Sequence, residues 1–144
     1  MIIRNNALAE KKPYLIVNIV LAGLIGLIFI YSGLFSAEKG NQPVPFFYEE
    51  ATRQSAPSSG MSRAFSEIIR GNLDSAREYN PDSPLIFAFF LIQGVQRLTV
   101  SSILFGGRIK KKHLLIADVL FSVTLFIFCF QGQILAMIRL LSAS

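Results

Sequence analysis

Cysteine, histidine and tryptophan are almost absent from this 144-residue chain, which has one cysteine, one histidine and no tryptophan. A single cysteine, Cys129, allows no disulfide within the chain, and the usual cysteine and histidine ligand sets for transition metals cannot form. No glycine-rich phosphate-binding loop is present. Serines cluster over residues 55–62, but the only histidine, His113, lies in the basic 106–113 stretch, which the charge distribution described below predicts on the opposite side of a membrane. A serine nucleophile needs a base within hydrogen-bond reach, so the sequence does not favour catalysis.

Charged side chains are also scarce, at 16% of residues against 52% hydrophobic ones. The mean hydropathy of +0.50 is high for a soluble domain of this size and favours a membrane protein. The formal net charge is +5. The basic residues flank apolar runs instead of covering a soluble face, so the charge indicates a membrane and no nucleic-acid partner.

Three long apolar runs predict three transmembrane helices, at about residues 14–35, 84–105 and 114–138. The first run has 22 residues without a charge, enough at 1.5 Å per residue to cross a hydrocarbon core of about 30 Å. A cleaved signal peptide is the competing interpretation, but the run exceeds a signal core of roughly 7–15 residues. Ala22 and Gly26 form a small-xxx-small pair that lets another helix approach closely. Ser83 is the predicted N-cap of the second helix.

The connection over residues 36–83 is the only sizeable polar region. Its apolar residues Met61, Ala64, Phe65, Ile68 and Ile69 recur at helical spacing on one face. This pattern predicts an amphipathic helix over about 61–79, interrupted near Gly71 and ended by Asn80-Pro81. We expect it to lie along the outer membrane surface or against the bundle. The sequence thus predicts an all-α integral membrane protein, with three transmembrane helices and an amphipathic interfacial helix, as a single membrane domain over 1–144.

The distribution of basic residues predicts the orientation, because Lys and Arg near helix ends are retained in the cytoplasm. The N-terminal head and the 106–113 loop share a side and together hold seven Lys and Arg residues. The 36–83 loop has five Lys and Arg against seven Asp and Glu. We therefore expect the head and the 106–113 loop in the cytoplasm of a bacterial inner membrane. The 36–83 loop and the C-terminus would lie outside, in the periplasm of a Gram-negative cell.

Inside the second helix, Gln93, Gln96, Arg97 and Ser101 form one polar stripe. An intramembrane arginine costs about 2.5–3.5 kcal/mol on insertion scales, so it normally faces protein or water. Asp118 enters the third helix from the same side, and we predict an Arg97–Asp118 pair across the hairpin. The pair is open to three interpretations, as a structural contact, as two snorkelling side chains, or as part of an ion path. No relay of titratable groups follows Asp118, which favours the structural interpretation.

The basic stretch before the third helix has two further interpretations. Lys110, Lys111 and Lys112 are predicted to contact anionic lipid headgroups, or to determine topology alone. His113 follows them, and a solvated side chain is favoured there over a haem or pigment ligand. The sequence predicts no cofactor and is compatible with a bound lipid.

The stretch from Pro57 to Pro81 resembles an uncharacterised domain-of-unknown-function family of small bacterial membrane proteins. That family carries Cys-Pro-x-Cys-Gly-x-Thr-Arg-Ala, then a glycine, an alanine and Asn-Pro before a membrane span. Its two cysteines fall on Ala56 and Ser59 here, so no thiol or metal role carries over, and Ser62 stands for the threonine. The resemblance implies a turn leading into an interfacial helix, with Arg63 as its anchor. The matching scaffold residues are Pro57, Gly60, Arg63, Ala64, Phe65, Gly71, Ala76, Asn80 and Pro81.

These features leave three hypotheses for function. The first is a non-catalytic accessory or assembly subunit of a larger bacterial inner-membrane complex, bound to other integral membrane proteins and anionic lipids rather than to copies of itself. The second is a small transporter or channel component that uses Arg97 and Asp118. The third is a membrane-bound enzyme or redox factor acting at the outer face, in which Ser59 or Arg63 would be needed for activity.

Overall fold

The computed structural model describes residues 2–35, 60–106 and 111–142, and this part of the chain is helical throughout, without strands. Three stretches are long and apolar enough to cross a membrane, at Lys12–Leu34, Ser83–Phe105 and Lys112–Cys129. The prediction of an all-helical chain with three membrane-spanning candidates is thereby confirmed. The six helices are α1 (Ile2–Leu34), α2 (Met61–Ile69), α3 (Leu73–Tyr79), α4 (Ser83–Gly106), α5 (Lys111–Cys129) and α6 (Gln131–Ser142).

Helix α4 is the centre of the fold, because α1 packs along one side of it and α5 along another. The contact with α1 is close at Gly94, where a Cβ atom would lie 3.3 Å from Cγ2 of Ile25. A residue without a side chain lets the two helices approach at this point. The N-terminal ends of α1 and α5 and the C-terminal end of α4 therefore share one end of the bundle.

Burial in the bundle is inverted relative to a soluble protein. Large apolar side chains such as Leu27, Leu98 and Leu120 are more than half exposed. The buried set is instead rich in polar groups, at Asn18, Ser32, Ser66, Asn80, Ser83, Gln93, Arg97, Ser101 and Asp118. An apolar outside suits contact with lipid, where polar groups must find partners inside the protein.

Helix α2 docks on the bundle through the apolar face that the sequence pattern predicts. Ala64 and Phe65 are buried, and the Phe65 ring meets the edges of Phe87 and Phe90 of α4 at centroid distances of 5.3 and 5.9 Å. The helix contacts α1, α3 and α4. The protein itself thus covers the middle of the amphipathic face, whereas Ile69 at its end is 41% exposed.

The predicted interruption of this helix lies at Gly71, which has a φ of 87°. Its N–H donates to the carbonyl of Ile68 at 3.0 Å, and the N–H of Asn72 donates to the carbonyl of Glu67 at 2.9 Å. These two bonds form a Schellman motif, in which glycine takes the left-handed position without strain. The predicted helix over about 61–79 is therefore two helices, α2 and α3.

Three helix boundaries differ from the sequence prediction. Helix α1 begins at Ile2, well before residue 14, and continues through Pro13. The third apolar run, predicted as one helix over 114–138, is interrupted at Phe130 and continues as α6. Ser83 is not the N-cap of α4, because the carbonyl of Asp82 accepts the bond from the N–H of Ile86 at 3.1 Å. The Ser83 hydroxyl donates to the carbonyl of Ala76 at 3.2 Å instead and ties α4 to α3.

Candidate functional site

A buried ion pair between α4 and α5 is the centre of the candidate site. Nη1 of Arg97 lies 2.8 Å from Oδ2 of Asp118, and both side chains are almost fully buried. Arg97 lies on the side of α4 that packs against α5. The structure thus brings together the two charged residues that the sequence singles out within the spans.

The two terminal nitrogens of the Arg97 guanidinium, Nη1 and Nη2, each donate to two side chains. Nη1 also donates to Oδ1 of Asn18 at 2.9 Å, while Nη2 donates to Oε1 of Gln93 at 3.0 Å and to Oγ of Ser122 at 2.7 Å. A guanidinium presents five N–H donors in a fixed fork, which suits it to joining several acceptors at once. Arg97 thereby links α1, α4 and α5 through one side chain.

The Asp118 carboxylate is likewise surrounded by donors. Its Oδ2 also accepts a hydrogen bond from the Tyr14 hydroxyl, and its Oδ1 accepts one from Nε2 of Gln96. Asn18 donates to the backbone carbonyl of Tyr14 at 2.8 Å, which fixes the amide that faces Arg97. We call this set the polar cluster, which consists of Tyr14, Asn18, Gln93, Gln96, Arg97, Asp118 and Ser122.

The polar cluster lies near one end of the three candidate spans. Asn18 follows Lys12 by six residues, Asp118 follows Lys112 by six, and Arg97 precedes Phe105 by eight. At 1.5 Å per residue these separations place all three about 9–12 Å inside the span ends. One guanidinium meets one carboxylate, so neither charge is left uncompensated in the interior of the bundle.

Two buried atoms of the polar cluster have no hydrogen-bond partner, Nε2 of Gln93 and Oε1 of Gln96. The second polar atom of each amide is bonded. Oε1 of Gln93 accepts a hydrogen bond from Arg97, and Nε2 of Gln96 donates one to Asp118. An unpaired buried amide atom costs roughly 1–3 kcal/mol. These two atoms therefore lower the stability of the polar cluster, while its hydrogen bonds join three helices in one specific arrangement.

A second polar contact lies at the opposite end of the bundle, where α2 meets the C-terminus of α1. The Ser66 hydroxyl donates to the carbonyl of Ser32 at 2.7 Å and to that of Phe35. Arg70 donates through Nη2 to the carbonyls of Gly33 at 3.3 Å and Phe35 at 3.2 Å. The last carbonyls of a helix have no partner within it, and a positive charge there is favourable. Ser66 and Arg70 together cap α1.

Arg70 thus anchors α2 to the C-terminus of α1. The Arg63 side chain is half-buried, and its Nε has no hydrogen-bond partner. The turn it was expected to bind, at Pro57 to Ser59, lies outside the described residues. A sequence signal for Arg70 existed, since it lies one turn after Ser66 on the same side of α2.

The other scaffold residues pack α2 and α3 against each other. Gly60 has a φ of 77°, and a Cβ atom there would lie 2.5 Å from the carbonyl oxygen of Tyr79. Ala64, Phe65, Ala76 and Asn80 are buried, and Oδ1 of Asn80 accepts a bond from the N–H of Asp82 at 3.1 Å. Pro81 is exposed. Helices α2 and α3 thus form a tightly packed corner immediately before α4.

The remaining predicted site residues lie outside the polar cluster. Ser101 is buried, but its hydroxyl donates to the carbonyl of Arg97 at 2.8 Å within α4. Lys112 and His113 are exposed at the start of α5, and Lys110 falls outside the described residues. Sequence reasoning missed Tyr14, Asn18 and Ser122. Asn18 carried a signal, as the one amide within the first apolar run.

Within the described part of the chain, no three His, Cys, Asp or Glu side chains form a group that could hold a metal ion. The polar cluster itself offers one carboxylate, already occupied by Arg97, Gln96 and Tyr14. Its chemistry is therefore that of a charge-neutral joint between helices.

No family model matches the chain, and comparison with curated proteins and with solved structures finds no match. The resemblance of residues 57–81 to a family of small membrane proteins stays a prediction.

Proposed function

We propose that the chain is a non-catalytic accessory or assembly subunit of a larger membrane-protein complex in the bacterial inner membrane. In this proposal the N-terminus and the 106–113 loop face the cytoplasm, and α2 lies near the outer surface. The partners are other integral membrane proteins. The observation that carries the proposal is the unused small-residue flank of α1.

That flank contains Gly23 and Gly26, where an added Cβ atom would meet no other atom within 4 Å. At Gly94, by contrast, the missing side chain is used for packing within the chain. The small pair of Ala22 and Gly26 is therefore available to a helix from another protein, and small residues let helix backbones approach closely in membranes.

The polar cluster supports the same proposal. A scaffold that binds laterally needs fixed helix positions, and Arg97 holds α1, α4 and α5 through bonds to Asn18, Gln93, Asp118 and Ser122. The alternative of a transporter or channel component would use Arg97 and Asp118 as a path. It receives less support, because these two side chains are saturated by each other and by their neighbours.

Purification of tagged protein in a mild, lipid-preserving detergent, followed by native mass spectrometry, tests the proposal. We expect a stoichiometric set of different membrane subunits. Gly26→Phe should release them, while Val17→Phe, on the opposite side of α1 from Gly26 at 3.6 residues per turn, should retain them. Val17 is 51% exposed and lies away from the small-residue flank.

A pure homo-oligomer or a lone monomer would overturn the proposal. If Asp118→Asn abolished ion or solute flux in proteoliposomes without dissociating an oligomer, the transporter alternative would replace it. Loss of an enzymatic activity in Ser59→Ala or Arg63→Gln, with the protein still accumulating, would favour the outer-face enzyme.

A further inference from the structure

An open groove of about 400 Å³ runs along the outside of the bundle between α4 and α5. Its two walls are matched stripes at helical spacing, each about two turns long. We call it the α4–α5 groove, and its lining residues are Ile92, Val95, Gln96, Thr99 and Val100 of α4 with Leu114, Ala117, Asp118 and Phe121 of α5.

The surface that the α4–α5 groove presents is almost entirely apolar, although two polar residues contribute to it. The Asp118 carboxylate is bound by Arg97, Gln96 and Tyr14 on its inner side. The Oε1 atom of Gln96 is inaccessible, and the Thr99 hydroxyl donates to the carbonyl of Val95 at 2.8 Å. An occupant therefore meets hydrocarbon and finds no polar group to bind, which suits an acyl chain.

One end of the α4–α5 groove opens at the N-terminus of α5, where positive charge accumulates. Lys111 begins α5, three residues before the lining residue Leu114. Lys112 and His113 are exposed. The stretch 106–113 holds four Lys and Arg residues and no Asp or Glu. A helix N-terminus adds its own partial positive charge and free N–H donors, which favour a phosphate.

We propose that the α4–α5 groove binds one anionic phospholipid, with an acyl chain between the two helices and its phosphate at Lys111 and Lys112. Basic groups beside a gap between membrane helices are the arrangement that selects anionic headgroups. The proposal depends on the membrane placement of α4 and α5. It does not depend on a partner subunit, and its test uses the purified chain alone.

The charge at the groove mouth favours a lipid over a helix from a partner protein. A helix packing into the groove would leave the adjacent lysines without a counter-charge, whereas a phospholipid supplies the apolar chain and the anion in one molecule. Binding of a partner helix in place of the lipid is one of the outcomes that the test below distinguishes.

Native mass spectrometry of the purified protein tests the proposal, with palmitoyl-oleoyl phosphatidylglycerol or phosphatidylcholine titrated into the micelles. We expect one phosphatidylglycerol to be retained at collision energies that remove phosphatidylcholine. Removing charge by Lys111→Gln with Lys112→Gln should weaken phosphatidylglycerol binding by at least about tenfold. The matched control is Lys11→Gln with Lys12→Gln, an adjacent lysine pair at the same end of the bundle, which should bind as the parent does.

The groove itself is tested by Val95→Phe, which fills it, against Val119→Phe on α5 outside it. Both valines are exposed, at 60% and 51%, so both variants should fold, and only the first should lose the retained lipid. Equal retention of the two lipids, or unchanged binding in either the lysine variant or Val95→Phe, would overturn the proposal. So would a protein subunit, rather than lipid, released by Val95→Phe from the complex purified from membranes.

Discussion

Arg97 and Asp118 lie 21 positions apart in the chain, yet Nη1 of the first is 2.8 Å from Oδ2 of the second in the interior of the bundle. The pair joins α4 to α5, and Arg97 reaches on to Asn18 of α1 at 2.9 Å. The three long helices are thus joined by a polar contact as well as by the packing of their side chains.

Removing one partner of this pair should destabilise the protein strongly, because the other charge stays buried without compensation. We expect Arg97→Met or Asp118→Leu alone to lower the free energy of unfolding by about 3 kcal/mol. The double variant should be more stable than either single one, since no charge is left buried. Equilibrium unfolding in mixed detergent and dodecyl sulfate micelles measures this. A double variant no better than the weaker single variant would show that the pair does not act as a unit.

The polar stripe of α4 and its pairing with Asp118 could be predicted from the sequence, because polar residues stand out in an apolar run and the short connection limits the register. Asn18 stands out as the one amide of the first apolar run, but its partners, like those of Tyr14, could not be predicted in the same way. They depend on which face of α1 packs against α4, and the nearly uniform hydrophobicity of α1 carries no such information. Ser122 lies one turn after Asp118, and its bond with Arg97 likewise becomes evident only from the packing of the helices.

The cap on α1 predicts different roles for two arginines of the 60–80 region. Arg70 donates to the carbonyls of Gly33 and Phe35 at the end of α1 and to Ser66, while the contact that the described residues give Arg77 is an exposed one with Asp74 at 3.7 Å. We expect Arg70→Gln to lower the free energy of unfolding by about 1–2 kcal/mol, and Arg77→Gln by less than about 0.5 kcal/mol. Thermal unfolding in detergent compares the two.

Equal losses from these two substitutions would contradict the capping role. The sequence directed attention to Arg63 through the family resemblance, and the turn that it would anchor lies outside the described residues. A helical period showed which face of α2 is apolar, but not that the C-terminus of α1 ends beside Ser66 and Arg70. The residues between α1 and α2, which determine that meeting point, lack a periodic signal.

Gly60 and Gly71 both have positive φ angles, of 77° and 87°, but they differ in their surroundings. A Cβ atom at Gly60 would lie 2.5 Å from the backbone oxygen of Tyr79, whereas one at Gly71 would meet nothing within 4 Å. Gly71→Ala should therefore cost only the left-handed conformation, about 1–2 kcal/mol. Gly60→Ala should cost more, because α2 and α3 must also move apart.

Unfolding of the two alanine variants in detergent, together with hydrogen exchange over α3, separates the two contributions. Faster exchange at residues 73–79 in Gly60→Ala alone is the expected signature of a loosened corner. If both variants lost the same stability, the close approach to Tyr79 would have no energetic consequence.

The interruption of the third apolar run at Phe130 places the start of α6 against Asp82. A Cβ atom on Gly132 would lie 2.4–2.7 Å from the carboxylate atoms of Asp82. Nε2 of Gln133 donates to Oδ2 of the same carboxylate at 3.0 Å. A carboxylate beside the first turn of a helix is favourable, so Asp82 joins the start of α4 to the start of α6. The sequence offered no sign of this contact, which connects residues 50 positions apart.

A double-variant cycle tests this contact between Asp82 and Gly132. In the parent protein, Gly132→Ala should lower the free energy of unfolding by about 1–3 kcal/mol, because the added methyl group displaces the carboxylate. In an Asp82→Ala background the same change should cost nothing or stabilise slightly, since alanine favours helix over glycine by about 1 kcal/mol. The coupling between the two sites is then positive and measurable by unfolding in detergent. An equal cost of Gly132→Ala in both backgrounds would mean that the glycine serves a neighbour other than Asp82.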